Sequence, residues 1–535
     1  MTKPTAAEDQ AILAKALLNS EVYGTADTPV EVLETHTAYV FLVGDVAYKI
    51  KKAVDFGFLN FLTLTDRHFY CMEELRLNYR LAPALYLDVI PITGTSNEPL
   101  LNGAGGVIEW AVKMRRFEQR NRLDHVLADN RLTPQLVDEV ARVIADFHAR
   151  TDRAPPNDDF GSPQSIQDAA LENFTQLGAW LTSAEAAHRL QQLRVWTEAQ
   201  LRNLQAAFST RKKHGFVREC HGDLHLGNIA LVDGSVTLFD CLEFNPGLRW
   251  IDTINDIAFV LMDLRHQRHP YLSFRLLNGY LEASGDYDGL KVLDFYCVYR
   301  ALVRAKVACI RRHQAGVGHT QQLELDAECR SYIELAQQFT SQANPALIIT
   351  HGFSGSGKTW CTQSLLQTIG AIRVRADVER KRLQGLQASA RTRSGLGQGM
   401  YSEAMTDRTY HRLNDLGAWI ISAGYTAIID ATFLKRSQRD AFRQRARALN
   451  VKFIILDFIA DETTLRSRIA ARLEHENDAS EADKAILDHQ LATHEPLQDD
   501  EMVDVVRCNS EQLSRVTNEQ ERWQAVTNFL RQASA

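Results

Sequence analysis

The octapeptide GFSGSGKT, Gly352 to Thr359, follows the apolar run ALIIT and opens the segment TWCTQSLLQTI, whose apolar spacing is helical. It satisfies G-x-x-x-x-G-K-[ST], and in the order strand, glycine-rich turn, helix that pattern cradles phosphates. The backbone N–H groups of Gly352, Phe353, Ser354, Gly355, Ser356 and Gly357, with the helix N-terminus, are expected to surround the anion. Lys358 then meets the β- and γ-phosphates of a nucleotide, and the Thr359 hydroxyl ligates magnesium. Downstream, YTAIIDAT reads as a strand ending in Asp430, the acid expected to order the metal's water shell. From Ala346 onward strands and helices alternate, so this part is expected to form a parallel α/β unit.

A chain of 535 residues exceeds what one hydrophobic core supports and must divide. A long helical stretch ends near SYIELAQQFTSQ, and the short ANP precedes ALIIT, which sets the expected boundary at about 343, with domains 1–342 and 343–535. The first domain begins as mixed α/β. AYVFLVGDVAYKIK alternates like two strands about a Gly44-Asp45 turn, TDRHFYCMEELRLNYRLA has helical spacing, and LYLDVIPI and GVIEWAVKMRRF read as two more strands. From TPQLVDEVARVIADFHAR helices dominate, interrupted by the segment 221–240.

Composition narrows the class. With 45% hydrophobic and 24% charged residues the chain is an ordinary globular protein, and disorder is excluded. A formal net charge of -7 does not describe a general binder of nucleic acid or membranes. The eight cysteines form no CxxC pair, which argues for reduced, buried thiols over a zinc site or disulfide scaffold. The N-terminus lacks a signal-like apolar core and no run reaches membrane-spanning length, so the expected location is the cytoplasm, with no membrane partner.

The second informative stretch is HGDLHLGN, His221 to Asn228. Asp223 follows His221 by two and precedes Asn228 by five, a spacing that resembles the protein-kinase loop H-R-D-x-x-x-x-N. The chemistry explains the spacing: a carboxylate takes the proton of the attacking hydroxyl while an amide oxygen about a turn away holds magnesium. Asp223 is the candidate base and Asn228 a candidate metal ligand. The hairpin IALVDGSVTLFD ends in Asp240, twelve residues after Asn228, where a kinase would place its metal aspartate. Upstream, VAYK, Val46 to Lys49, resembles the kinase strand V-A-I-K, and Glu74 in the next helix is the candidate partner of Lys49.

No G-x-G-x-x-G loop precedes VAYK, where ETHTAYVFLVG stands instead, and DCLEF replaces DFG. With HGDLHLGN, and with RWIDTINDIAFVLMDL after the metal aspartate, these features resemble the aminoglycoside phosphotransferase and choline-kinase branch of the kinase-like fold, over roughly residues 30–335. Around these candidates simpler roles compete. His221 reads as a structural residue of the loop; Asp252 and Asp256, one helical turn apart, are capping or bracing residues or a second metal site; Glu243 is undecided. Strand alternation puts Lys49 and Lys51 on one face and Lys52 on the other. The cluster RALVRAKVACIRR is a solvated basic face by default.

After the phosphate loop, RVRADVERKRL places Asp377 just past a short strand, flanked by Arg375 and Arg380. This resembles the R-x-D-x-x-R element of polynucleotide kinases and related small P-loop kinases, which implies Asp377 as base and Arg380 as the group that positions an anionic acceptor. TLRSRIAARLEHENDASEAD resembles their lid, with Arg468 and Arg472 four apart on one helix face as candidate contacts to the nucleotide, or as ordinary surface residues. No feature typical of a ring-forming ATPase is evident.

The arrangement is similar to the bacterial proteins called bifunctional aminoglycoside phosphotransferase/ATP-binding protein. The implied fold class is two-domain α/β: an N-terminal protein-kinase-like (aminoglycoside phosphotransferase-like) α+β fold and a C-terminal P-loop NTPase parallel α/β fold. The implied function is ATP- and Mg2+-dependent transfer of a phosphoryl group to a hydroxyl-bearing small molecule or 5'-hydroxyl nucleic acid, the oligomeric state being open. A nucleotide-sensing regulator, in which the P-loop part binds or hydrolyses ATP to control its neighbour or a partner protein, is the competing reading. The candidate bases Asp223 and Asp377 favour catalysis, because a binding module needs no base.

Overall fold

The computed structural model describes residues 6–25, 28–55, 57, 59–181, 183–313, 317–341, 344–388, 390, 402–474 and 483–531. The expected boundary at 342/343 therefore lies outside the described residues. By contact the chain divides into two compact units, one made of Met1–Glu139, Phe147–Glu172 and Gln205–Asp263, the other of Val140–Asp146, Asn173–Leu204 and Leu264–Ala535.

The first unit is built on a six-stranded antiparallel sheet of β1 (Val30–Glu34), β2 (Ala38–Val43), β3 (Val46–Lys51), β4 (Tyr86–Gly94), β5 (Pro99–Leu101) and β6 (Val107–Arg115), in the order β1-β2-β3-β6-β4-β5. β2 and β3 turn at Gly44, whose φ of +55° a side-chain-bearing residue seldom adopts, and pair with Val40 opposite Lys49. The turn between β1 and β2, where a kinase carries its glycine-rich loop, is only Thr35 to Thr37, closed by the Ala38 N–H donating to the Thr35 hydroxyl. Helix Leu64–Tyr79 starts where the Thr63 hydroxyl accepts from the Asp66 N–H, and Cys71 on its inner face packs on Tyr86, Val89 and Val112 of the sheet. Two small antiparallel pairs follow, β7 (Val217–Glu219) with β10 (Trp250–Asp252) and the hairpin of β8 (Ile229–Val232) with β9 (Ser235–Leu238). The HGDLHLGN loop links β7 to β8, and helix Thr253–His266 follows β10.

The second unit contains a five-stranded parallel sheet of β11 (Ala346–His351), β12 (Ile372–Arg375), β13 (Ala427–Asp430), β14 (Lys452–Ile459) and β15 (Val505–Asn509), ordered β12-β13-β11-β14-β15. β11, β13 and β14 read as continuous apolar runs because helices cover both faces of such a sheet. Trp523 near the C-terminal end of the chain completes the core around Ile348, Leu365, Ile454 and Cys508. β12 is an edge strand, and its outer side is met by a helix. From helix Pro270–Ser284, the Asn278 amide donates to the Ala371 carbonyl at 2.9 Å and accepts from the Arg373 N–H at 2.7 Å, as a neighbouring strand would. Glu282 on the same helix pairs with Arg375 at 3.0 Å.

Candidate active sites

In the first unit, alternation along β3 sends Lys49 and Lys51 to one face, where both reach Glu74 of helix Leu64–Tyr79, at 2.8 and 2.6 Å. Lys52, on the other face, pairs with Glu34. Lys49 also pairs with Asp240 at 2.6 Å, and Lys51 with Glu243. Glu243, undecided from sequence, is thus a buried ion-pair residue. Burial opposes charge in this cluster. It pulls the Lys49 ammonium down, yet Asp240 and Glu74 outweigh it and hold Lys49 well above its usual range. Glu74, pushed up by burial, is brought down to about 2 by Lys49 and Lys51. For Glu243 burial wins, and its carboxyl is raised despite Lys51.

The HGDLHLGN loop is held from below by one carboxylate. Asp256, fully buried on helix Thr253–His266, accepts from the His221 N–H at 3.0 Å, from the Gly222 N–H at 2.9 Å and lies 3.0 Å from His148 Nε2. Cys220 joins His148 and Asp256 in a cluster of metal-ligand types, and within it Asp256 accepts one loop N–H at each oxygen. Asp252 is spent on a bidentate pair with Arg211 at 2.6 and 2.9 Å. His221 is structural by its contacts, with Nε2 at 2.8 Å from the Phe239 carbonyl, and burial pulls its imidazole down.

Within the loop, Asn228 Nδ2 donates to the Asp223 carbonyl at 2.9 Å and to its carboxylate at 3.0 Å. The Asp223 side chain remains 40% exposed, open to an acceptor. The Phe239 N–H donates to the Asn228 carbonyl and the Leu242 N–H to the His221 carbonyl, so the Asp240 segment is laced to the loop carrying Asp223 and Asn228. Asp240 has φ +62°, an uncommon backbone state for a residue with a side chain, and its N–H donates to the Tyr86 hydroxyl at 3.2 Å. Asp223, Asn228, Asp240, Lys49 and Glu74 thus lie on directly connected segments.

The second site lies on β11. Gly352, Gly355 and Gly357 all have positive φ, and a Cβ on each would meet the Phe458 carbonyl at 2.5 Å, the Leu465 carbonyl at 2.9 Å and Ser510 Cβ at 2.9 Å. The phosphate loop is a close-fitting backbone cradle that only glycine permits at those three points. Lys358 at the start of helix Lys358–Ile369 donates to the Gly352 and Phe353 carbonyls at 2.9 and 2.8 Å. The Thr359 hydroxyl donates to Asp430 Oδ2 at 2.7 Å, joining both candidate magnesium ligands. A hydroxyl beside a carboxylate at the foot of an N–H cradle is the hard oxygen donor set that suits magnesium and a polyphosphate.

Asp377 opens helix Ala376–Arg382 directly after β12, with Arg380 a turn on and buried. Burial pushes the Tyr410 phenol up, and its oxygen accepts from the Phe433 N–H at 3.1 Å. Arg468, on helix Glu462–Glu474, donates to the Gly355 carbonyl at 3.3 Å and to the Ser510 hydroxyl at 2.8 Å. The Arg472 side chain lies outside the described residues. Ser354 and Phe353 meet the next helix, the Gln490 amide bonding Ser354 at 2.9 and 3.1 Å and the His494 ring standing edge-on to Phe353.

Sequence reasoning passed over four contributors: Glu243 as the partner of Lys51, Tyr410, Gln490, and Arg373, whose buried guanidinium donates to the Thr359 carbonyl at 2.8 Å. None of the four carries a strong local signal, and Arg373 simply alternates with Arg375 along the four-residue strand IRVR.

Comparison with known proteins agrees with the two folds. The family model described as Phosphotransferase enzyme family matches residues 99–293, and the model described as AAA domain matches residues 347–497. Uncharacterized protein Rv2004c of Mycobacterium tuberculosis (strain ATCC 25618 / H37Rv) is 30% identical over 461 residues, covering 86% of this chain and 90% of that protein. Uncharacterized protein Mb2027c of Mycobacterium bovis matches to the same extent. Among solved structures, a choline/ethanolamine kinase family protein from Mesorhizobium loti is 12% identical with a TM-score of 0.38, covering 61% of this chain and 96% of that one. A gluconokinase from Sinorhizobium meliloti 1021 is 19% identical with a TM-score of 0.25, covering 36% and 100%. The chain belongs to the bacterial family that joins an aminoglycoside phosphotransferase-like domain to a P-loop kinase-type ATP-binding domain.

Proposed function

We propose that the protein is an ATP- and Mg2+-dependent phosphotransferase with two nucleotide sites, one in each of the chain segments 1–342 and 343–535, acting on hydroxyl groups. The observation that carries this reading is the Asp223 carboxylate, exposed to an acceptor yet fixed by the Asn228 amide at 3.0 Å. A site that only sensed nucleotide would need Lys49, Asn228 and Asp240 but no such base.

Bound magnesium ATP supplies the transferable phosphoryl group and neutralises its developing charge. In the first site Lys49, oriented by Glu74, meets the phosphates, Asn228 and Asp240 offer metal ligands, and Asp223 takes the proton of the acceptor hydroxyl. In the second, Lys358 and the Gly352–Gly357 backbone hold the phosphates, Thr359 and Asp430 offer metal ligands, and Asp377 takes the acceptor proton. Arg380 orients an anionic acceptor there and Arg468 covers the phosphate loop. The acceptor class is a hydroxylated small molecule or a 5'-hydroxyl nucleic acid. Eight free, buried cysteines and the need for ATP suit the cytoplasm. Among the described residues no helix is long and apolar enough to cross a membrane.

The test is transfer from radiolabelled ATP to a panel of hydroxyl metabolites and 5'-hydroxyl oligonucleotides, using the full chain, Asp223→Ala and Lys358→Ala. Loss of general-base help in Asp223→Ala is expected to cut first-site transfer by about 100-fold or more. Tight ATP binding at both sites without transfer or hydrolysis would refute the enzyme and leave the sensor.

A further inference from the structure

The phosphotransferase site holds a second buried lysine that phosphate chemistry does not call for. Lys49 and Lys51 share the two oxygens of Glu74, and each then holds one acid of the same segment, Asp240 for Lys49 and Glu243 for Lys51. The two halves differ in exposure. Lys51, Glu74 and Glu243 are 1%, 0% and 8% exposed, whereas the Lys49 and Asp240 side chains are 15% and 40% exposed. The front pair is open to solvent and the rear pair is sealed, with the Lys51 ammonium also 5.1 Å from the Phe61 ring centre.

Charge counting separates the lysines further. Two ammonium groups face three carboxylates, leaving one negative charge in excess, and Asp240 is the most exposed of the three. A divalent cation at Asp240 would reverse that imbalance and compete with Lys49 for the same carboxylate. Lys49 can then turn to a phosphate, provided that Glu74 and the Asp240 segment stay where they are. Lys51 meets that condition, because its charge is already committed to Glu74 and Glu243 on the sealed side. The rest of the segment is pinned compatibly, with the Cys241 N–H donating to Asn78 at 2.9 Å and the Glu243 carbonyl accepting from Arg249 at 3.0 Å.

We propose that Lys51 and Glu243 are a positioning pair of the phosphotransferase site. Their ion pair ties β3, helix Leu64–Tyr79 and the Asp240 segment together, and so lets Lys49 exchange Asp240 for nucleotide phosphate. The inference rests on the reading of Lys49 as the phosphate lysine and Asp240 as a metal ligand.

The experiment uses the full chain with Lys358→Ala, so that only this site binds nucleotide. Calorimetry with a non-hydrolysable ATP analogue gives the affinity, and the Mg2+ concentration at half-saturation gives the metal dependence. Lys51→Met, Lys49→Met and the double variant Lys51→Met/Glu243→Leu are compared, with thermal unfolding measured on each. Lys51→Met should raise the half-saturating Mg2+ by about tenfold or more, the usual scale for losing an outer-shell support. The double variant, which lacks the tie but leaves no lone buried acid at Glu243, should show the same rise, whereas Lys49→Met should weaken the analogue at every Mg2+ concentration. If Lys51→Met unfolds, the double variant alone decides: an about tenfold rise in half-saturating Mg2+ in it supports the pair, and parent-like Mg2+ dependence in it overturns the pair. Parent-like Mg2+ dependence in a folded Lys51→Met also overturns it. Parent-like binding in Lys49→Met beside a loss in Lys51→Met would instead overturn the reading of Lys49 on which the pair depends.

Discussion

Replacing Asp256 by asparagine puts the support of the HGDLHLGN loop to a quantitative test. The carboxylate accepts from two backbone N–H groups, of His221 and Gly222, and neighbours His148 Nε2, with no exposure to water. Asparagine keeps one acceptor oxygen and turns an NH2 group toward a donor, so one charge-assisted bond is lost and one buried N–H is orphaned, at about 2–5 kcal/mol. The loop that shifts is the one carrying Asp223, and a displacement near 1 Å at a reacting group costs about 100-fold in rate. Lys49 and Glu74 lie on other segments, so the KM for ATP is expected to move less than kcat falls. Turnover is read as ATP consumption in a Lys358→Ala background, and stability from urea unfolding followed by tryptophan fluorescence. A variant losing less than about 0.5 kcal/mol, or one losing stability with kcat intact, would refute the claim that Asp256 positions the catalytic loop.

Three further outcomes are expected. Gly357→Ala forces a side chain into φ +88° with its Cβ 2.9 Å from Ser510 Cβ, and about tenfold weaker nucleotide binding at the P-loop site should follow, measured by calorimetry with Lys49→Met present to weaken the first site. Thr359→Ala should raise the Mg2+ requirement of that site by about tenfold while Thr359→Ser leaves it near normal, in a metal titration of nucleotide binding. Glu74 sits at about 2 when folded against 4.5 when free, so as an acid of depressed pKa it stabilises the fold above pH 4.5 and that contribution is lost as pH falls toward 2. Glu74→Gln should flatten the acid limb of the unfolding profile over that window.

What the sequence made legible was local. Gly352 to Thr359 and His221 to Asn228 are contiguous, and their spacing follows from chemistry that must happen within one loop. The hairpin about Gly44 and the strand ending at Asp430 announced themselves by alternation and by apolar runs. Other elements lacked such a signal. β1 is largely exposed along its length and so offers no alternation to read. Lys51 and Glu243 are 192 positions apart, and a lysine at the end of a strand looks solvated until the fold brings an acid to it. Asp252 and Asp256 read as one helical turn apart, but Asp252 ends β10 and only Asp256 lies on helix Thr253–His266, and what each acid holds depended on where Arg211, His148 and the His221 N–H came to lie.

The amide of Asn278 bears on how such a gene can be divided. It closes the outer side of β12 from a position within the phosphotransferase family match, more than fifty residues before the P-loop match begins. A fission just ahead of ALIIT would leave the C-terminal product with the Ala371 carbonyl and the Arg373 N–H bare on a sheet edge, and Arg373 is the residue whose guanidinium supports the first turn after the phosphate loop. Open edges recruit other strands. The two kinase modules are therefore not freely exchangeable cassettes, and a recombination that preserves both must carry the helix Pro270–Ser284 along with the C-terminal piece.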